Sequence, residues 1–405
     1  MRVLYFHQHF STPKGSTGTR SYEMARSLVA HGHGVTMVCG TYGGGETGLS
    51  APFVAGCRSG LVDGIHVIEL DLAYSNSDGF LKRAWLFLKF AARSVAIALR
   101  EKYDVVFATT TPLTAGIPGI FARWLRGKPF VFEVRDLWPE LPREMGVITN
   151  PLVLGAMSIL EWASYRSATR CVGLSPGIVD GIAKLGVPRD RIALVPNGCD
   201  LSIFAAGQEG WRPAEVGKDD LLAAFTGTHG MANGLDSVLD AAAELKQRGR
   251  NDIKLVLIGQ GKLKPALQAR AEQEGLDNVV FHPPVSKVKL AGLMTETDVG
   301  MQILANVPAF YYGTSPNKFF DYIASGLPVL NNYPGWLAQM IHDERCGFVV
   351  PPDDAVAFAD ALEAAAADRD ALRVMGENGK RLAMRDFDRR ILADRFVAWL
   401  EGAAA

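Results

Sequence analysis

The sequence predicts an α/β protein built from two successive parallel sheets covered by helices. Short apolar runs alternate with longer helical patterns from end to end, the form taken by parallel strands joined through helical crossovers. The pattern restarts after residue 200, and 405 residues exceed what a single core usually organises. Between the two sets lies PNGCDLSIFAAGQEGWRP, rich in Pro, Gly and polar residues, where a linker belongs.

In the first set the strand patterns are Val3–His7, Val35–Cys39, Val105–Thr109, Phe130–Val134, Cys171–Leu174 and Ile192–Val195, with helical patterns such as Ser21–Ala30 between them. In the second they are Leu222–Thr226, Lys254–Gly259, Val279–His282, Val299–Leu304, Val329–Asn331 and Phe348–Val350. The domain boundary is placed near Asn197–Gly210, giving domains of residues 1–200 and 201–386. No period of about 20–50 residues repeats, so a solenoid or propeller is not indicated.

Hydrophobic residues make up 48% of the chain and charged residues 21%, enough to pack a core and too apolar for disorder. The net charge of −1 provides no footprint for nucleic acid. That sum hides an asymmetry: residues 1–200 carry 21 basic and 16 acidic side chains, and the remainder 21 and 27. The five cysteines are scattered and never spaced as a CxxC pair, which supports neither a disulfide framework nor a zinc site and reads as a reducing compartment. The opening MRVLYFHQHF lacks a signal-peptide core, and the apolar stretch Ala84–Leu99 carries Lys89 and Arg93. A cytoplasmic protein, soluble or peripheral to a membrane, is expected.

In open parallel sheets ligands bind where strands end and helices begin. The first such junction is FSTPKGSTGTR, where Gly15 and Gly18 let the backbone approach a phosphate or simply form a turn, and Arg20, opposing the helix dipole, suggests an anionic partner. The second is FTGTHGMANGLDSVLDAA, where Gly227, Thr228, His229 and Gly230 precede a helix. Its amides suit a diphosphate without any metal, although a lone histidine is by default a solvated one. The third is SPNKFFDYIASG: Lys318 and Asp321, three apart on one helix face, form either an ion pair or a cation for a diphosphate and a carboxylate for a ribose diol. The fourth is FEVRDLWPELPRE, where Arg135, Asp136 and Glu140 follow a buried-strand pattern. Finally, Lys82, Lys89, Arg93 and Arg100 form a narrow basic stripe on an otherwise apolar helix with Trp85, and Trp124 and Arg126 add to it. Such a helix is a buried element with one wet edge or a membrane-surface element.

Together these segments resemble glycosyltransferase family 4, retaining sugar transferases of the GT-B fold. The match runs through SYEMARSLVAHGHGVTMV, VPNGCDLSIF, FTGTHG with GLDSVLDAA, LVLIGQGKLKPAL, NVVFHPPV, DYIASGLPVL and CGFVVPPDDAVAFADAL. DLWPE and SPNKFFDYIASG look most like bacterial O-antigen and capsule enzymes of the N-acetylfucosamine transferase type. The resemblance implies two Rossmann-like domains facing across a cleft and a C-terminal helix, residues 387–405, crossing back to the first. It implies a UDP-sugar donor beside Gly15, Gly18, Gly227, Thr228, His229, Gly230, Gly259, Val285, Ser315, Asn317, Lys318 and Asp321. It further implies that Arg20, Asp136 and Glu140 meet the acceptor. Two departures stand out: Gly313 occupies the position of the family's first motif glutamate, and Lys318 is expected to replace the charge of a missing Arg and Lys pair.

The expected chemistry is retaining transfer with Asp136, Arg135 and Lys318 as catalytic residues and no cofactor or metal. A polyprenyl-linked saccharide at the inner membrane face is the expected acceptor. A sugar-nucleotide epimerase and a non-enzymatic two-domain binding protein are the alternatives. A dinucleotide-dependent dehydrogenase is disfavoured because no GxGxxG follows the first strand.

Overall fold

The computed structural model describes all residues except 16–17, 76–77, 205–207 and 405. The chain divides into two compact units. One comprises Met1–Pro196, Gly313–Ser315 and Arg390–Ala405; the other comprises Asn197–Tyr312 and Pro316–Arg389.

The first unit is an eight-stranded sheet. In chain order its strands are β1 (Arg2–Phe6), β2 (Gly34–Tyr42), β3 (Cys57–Val62), β4 (Ile65–Tyr74), β5 (Val105–Thr109), β6 (Phe130–Val134), β7 (Arg170–Gly173) and β8 (Ile192–Leu194). They lie side by side as β3-β4-β2-β1-β5-β6-β7-β8, all parallel except β3. Every residue of β5 and β6 is buried, as strands covered on both faces require. Helix α1 (Arg20–Ala30) follows β1, and α2 (Phe80–Arg100), α3 (Ile117–Arg126), α4 (Glu140–Glu144) and α5 (Pro151–Ser167) follow in turn. Helix α3 packs between α2 and α5. The helix Arg389–Ala404 is grouped with this unit from Arg390 onward, where Phe396 meets Phe107 edge-on at 4.9 Å.

The β3–β4 hairpin is an element that the sequence reading passed over. Val62 pairs with Ile65, so the loop is Asp63-Gly64, with φ of 49° and 83°. Two consecutive positive φ values are what a two-residue turn of type I′ demands, and Asp-Gly supplies them.

The second unit is a six-stranded parallel sheet. Its strands are β9 (Leu221–Thr226), β10 (Ile253–Ile258), β11 (Val279–His282), β12 (Val299–Gln302), β13 (Val329–Asn331) and β14 (Gly347–Val349), ordered β11-β10-β9-β12-β13-β14. This is the doubly wound order, and its direction reverses between β9 and β12; in the first unit the reversal lies between β1 and β5. The loops leaving the carboxyl ends of these strands diverge at the reversal and leave room for a ligand. Each unit's chemistry is therefore expected just after β9 in one and after β1 in the other.

Candidate active site

In the second unit β9 ends at Thr226 and the chain continues through Gly227–Asn233. A Cβ on Gly259, which follows β10, would collide with the carbonyl oxygen of Gly227, so only glycine allows these two loops to touch. The Gly227 amide donates to Ile258 O at 2.9 Å and the His229 amide to Gln260 O at 3.1 Å. Those two N–H groups extend the sheet, which corrects the expectation that Gly227 offers its amide to a diphosphate. The amides of Thr228 and Gly230 have no partner among the described residues and remain available.

His229 is wholly buried, between the rings of Phe225 and Phe281, each 6.1 Å away. Neither ring nitrogen has a hydrogen-bond partner among the described residues. Burial, reinforced by Lys264 and Lys318, lowers its pKa to about 4. His229 is thus a neutral imidazole and neither a solvated histidine nor a cation for a diphosphate.

Lys318 sits in the first turn of the helix Asn317–Ala324. Its Nζ lies 4.0 Å above the Phe225 ring and donates to Asn233 Oδ1 at 3.0 Å, while Asn233 Nδ2 donates to Thr228 O at 2.7 Å. No carboxylate pairs with Lys318 among the described residues, and burial lowers its ammonium to about 7. Asp321, one turn on, is buried, and its carboxylate accepts no hydrogen bond among the described residues. Burial raises its pKa to about 6 against the opposing pull of Lys287 and Arg389. The ion pair that would have made these residues a surface ornament is therefore absent. A cation, two free amides and a carboxylate, each with unfilled bonding capacity, occupy the mouth of β9 and the neighbouring helix.

The other donor-side residues are placed as follows. Asn317 is exposed at the start of the Lys318 helix. Val285 packs on the cluster of Val256, Ile258 and Leu293. Ser315 falls in the Gly313–Ser315 segment, which is grouped with the first unit. Gly15 closes a turn by donating to Thr12 O at 3.1 Å, and a side chain there would strike Ser11 and Glu46. Packing of this loop by itself accounts for a glycine there. Gly18 is exposed, and residues 16–17 lie outside the described residues.

In the first unit β1 runs into His7, Gln8 and His9, β5 into Thr110–Pro112, and β6 into Arg135–Asp136. Arg135 Nη1 lies 3.4 Å from His7 Nε2, and its amide donates to Thr110 Oγ1 at 2.8 Å. Thr111 Oγ1 donates to Asp136 Oδ2 at 3.4 Å. Burial, only partly offset by Arg135 and Thr111, raises the Asp136 pKa above its ordinary value. Burial and Arg135 push His7 well below the usual histidine range and His9 to about 4. His7 Nδ1, His9 Nε2 and both amide atoms of Gln8 are buried without partners among the described residues. The sequence reading missed this trio, although the same strand-end rule applied to HQHF would have found it. Glu140 is exposed at the start of α4.

Arg20 is not an acceptor contact. Its guanidinium is buried, pairs with Glu133 at 2.8 Å, and donates to the carbonyls of Val195 and Pro196. The cation at the start of α1 answers a buried carboxylate at the end of β6.

The basic stripe is likewise largely spent. Arg93 donates to Gly56 O at 2.9 Å, Arg126 to Ala98 O at 2.9 Å, and Lys82 to Asp78 Oδ1 at 2.7 Å. Lys89 and Arg100 are exposed. What the face offers instead is apolar: Leu81, Trp85 and Leu88 on α2, Trp124 and Leu125 on α3, and Leu152, Ile159 and Trp162 on α5 are all more than half exposed. No helix among the described residues is long and apolar enough to cross a membrane, and no three His, Cys, Asp or Glu side chains cluster as metal ligands.

The glycosyl transferase 4-like domain model matches residues 15–198, and the glycosyl transferases group 1 model matches residues 221–368. Both models are of glycosyl transferase domains, and together they match most of the chain. A D-inositol 3-phosphate glycosyltransferase of Nocardia farcinica is 34% identical to this chain over 200 residues, 47% of this chain and 43% of the relative. The chain spans about half the length of the curated relatives it matches. Sucrose-phosphate synthase of Thermosynechococcus elongatus superposes with a TM-score of 0.75 at 17% identity, covering 99% of this chain and 98% of the other. The Anabaena protein HepE, solved in complex with UDP and glucose, gives 0.68 at 15% identity, covering 99% of each chain. These likenesses are of fold: each unit of the chain is one of the Rossmann-like domains of GT-B.

Proposed function

We propose that this glycosyltransferase moves a sugar, with retention of configuration, from a UDP-sugar to a hydroxyl of a lipid-linked saccharide. The observation that carries the donor half is the pairing of an uncompensated Lys318 with an uncompensated Asp321 beside the free amides of Thr228 and Gly230. A diphosphate accepts from Lys318 and from the amides, and a ribose diol donates to Asp321. HepE, of the same fold, is described with UDP and glucose, which favours uridine as the base. Val285, on the loop after β11, is the residue we assign to the base edge.

Breaking the C1–O bond gathers negative charge on the departing diphosphate. Lys318 and the amides act most strongly at that point, so they lower the barrier as well as bind. With retention, the acceptor hydroxyl attacks from the side of the leaving group, and the departing phosphate oxygen takes its proton. Asp136, steadied by Thr111 and next to Arg135, orients that hydroxyl in this reading, while neutral His7 and His9 offer further hydrogen bonds to sugar hydroxyls. No metal ion is called upon in this scheme.

The lipid-linked acceptor and peripheral attachment at the inner face of a membrane are supported by the exposed apolar stripes of α2, α3 and α5. The assignment to bacterial surface polysaccharide assembly rests on DLWPE and SPNKFFDYIASG alone. A second reading, a water-soluble polyol phosphate acceptor, is favoured by the printed name of the Nocardia relative.

The test is a thermal-shift screen against UDP, GDP and their sugars, followed by transfer assays. A ligand at 100 times its Kd stabilises the fold by about 2.7 kcal/mol, which is readily seen. UDP and one UDP-sugar should shift the transition of the wild-type protein and do so less in Lys318→Met. No shift with any nucleotide would remove the donor half of the proposal. Turnover of the UDP-sugar without an acceptor would favour an epimerase.

A further inference from the structure

The first unit contains a cavity of about 600 Å³ that none of the residues assigned above explains. Its walls are α2, through Phe87 and Leu88, and α5, through Ala156 and Leu160; Trp138 and the Pro112–Thr114 turn also line it. Helix α3 packs on both α2 and α5, and the short 3-10 turn leading into it (Leu113–Gly116), two residues of which line the cavity, also contacts both. The volume lies in the range of small-molecule sites, about 300–1,000 Å³.

The lining is nearly all hydrocarbon and aromatic. A nucleotide base or a sugar placed there would leave its polar groups unpaired, so the chemistry selects an apolar chain. The cavity's polar side chains are few: Tyr74, Thr111, Thr114, the Trp138 ring nitrogen and Arg83, which bonds Tyr74. Thr111 lines the cavity and also bonds Asp136. Arg83 lines it with a buried Nε that has no partner among the described residues. Two other wall residues, Leu88 and Leu152, are also part of the exposed apolar stripes, being 54% and 82% accessible. The cavity is thus continuous with the apolar outer face on one side and with the Asp136 group on the other.

The geometry points to this cavity as the seat of the isoprenoid chain of a lipid-linked acceptor, entered between α2 and α5, with its phosphate near Arg83 and its sugar toward Thr111 and Asp136. This assignment rests on the transferase reading above. An isoprenyl phosphate carries one chain for one cavity, and its methyl-branched double bonds pack against rings such as Phe87 and Trp138. Bilayer phospholipids carry two chains and a head with no counterpart at Asp136.

The probe is farnesyl phosphate bearing a diazirine at the far end of the chain, photolysed with the full-length protein in detergent-free buffer and mapped by peptide mass spectrometry. Labelling of the 80–88 and 152–160 peptides is expected, competed by plain farnesyl phosphate and not by dioctanoyl phosphatidic acid. Ala156→Trp should cut cavity labelling at least tenfold while UDP-glucose binding holds; Ala84→Trp, on the opposite wall, serves if the first variant does not fold. Labels confined to Trp85 and Ile159 would overturn the assignment, because those side chains belong to the outer face. Equal competition by the phosphatidic acid would overturn the isoprenoid identity. Absence of cavity labelling in protein that binds UDP-glucose would overturn the inference and leave the transferase standing. Cavity labelling in protein that binds no nucleotide would keep the lipid site and sink the donor reading.

Discussion

In the proposed donor site Lys318 and Asp321 set opposite limits on the pH at which a nucleotide-sugar binds. Burial lowers the ammonium to about 7, so the cation fades as pH rises through that value. Burial raises the carboxyl to about 6, so the ribose acceptor is lost as pH falls through it. The competent fraction is the product of protonated Lys318 and ionised Asp321. It is about 0.6 near pH 6.5 and about 0.1 at pH 5 and pH 8. Donor affinity should therefore follow a bell, about sixfold weaker on either side of its maximum and falling about tenfold per unit beyond. UDP-glucose is the ligand of choice for calorimetry, because its diphosphate is esterified at both ends and does not titrate in this range. Lys318→Arg keeps the charge at all these pH values, so the alkaline limb should disappear. Asp321→Asn should remove the acid limb and weaken binding at the optimum about tenfold, the order expected for a hydrogen bond to a charged group. His229, already neutral, contributes to neither limb. A flat profile from pH 5 to pH 8, or an alkaline limb that survives Lys318→Arg, would refute the argument.

The same charges predict stability. Lys318 titrates at about 7 when folded and near 10.5 when unfolded, so its penalty is full below pH 7 and disappears toward pH 10.5. For a side chain that keeps some contact with solvent, Lys318→Met should raise stability by about 2 kcal/mol at pH 6, and by little at pH 10, as read by urea titration. Asp321 has the opposite window: its folded pKa of about 6 lies above 3.8, so Asp321→Asn should stabilise the protein above pH 6 and have no effect below pH 4. Glu133→Gln leaves Arg20 buried without its carboxylate and should cost about 3–5 kcal/mol while leaving UDP-glucose affinity unchanged. An affinity loss matching the stability loss would return Arg20 to the binding site. Phosphatidylglycerol vesicles should sediment the wild-type protein, and Trp85→Glu with Ile159→Glu should abolish this, whereas Lys89→Ala should change it little; the reverse ranking would restore the basic-stripe account.

Both sheets were legible because their strands are apolar runs buried on both faces and their crossovers have a helical period. The β3–β4 hairpin was passed over although β4, IHVIELDLAY, alternates buried and exposed residues and Asp63-Gly64 marks the turn; β3, CRSGLV, alternates weakly and hid the pair. Lys318 and Asp321 were found from spacing, but spacing cannot tell an ion pair from two separate charges; the neighbours of each side chain decide that. Arg20 was misread for the same reason. Its partner Glu133 lies 113 residues away, and no local pattern announces so distant a carboxylate. The stripe on α2 failed in a related way: helical periodicity gives the direction of Arg93, not the carbonyls of Ala55 and Gly56 that wait there.

The charged and polar side chains of the first turn after β1 and of the β9 mouth differ from the structural arginines in what they bond. Arg20, Arg93 and Arg126 each end on carbonyls or a carboxylate supplied by the fold, and their charge is consumed in holding it together. Among the described residues Lys318 meets only an amide oxygen and a ring face, Asp321 accepts no hydrogen bond, and His7, Gln8, His9 and His229 hold buried nitrogens or oxygens without a partner. Each such group costs the folded state on the order of 1–3 kcal/mol. They lie after β1 in the first unit, and after β9 and on the helix beside it in the second, at the points where the strand order of each sheet reverses.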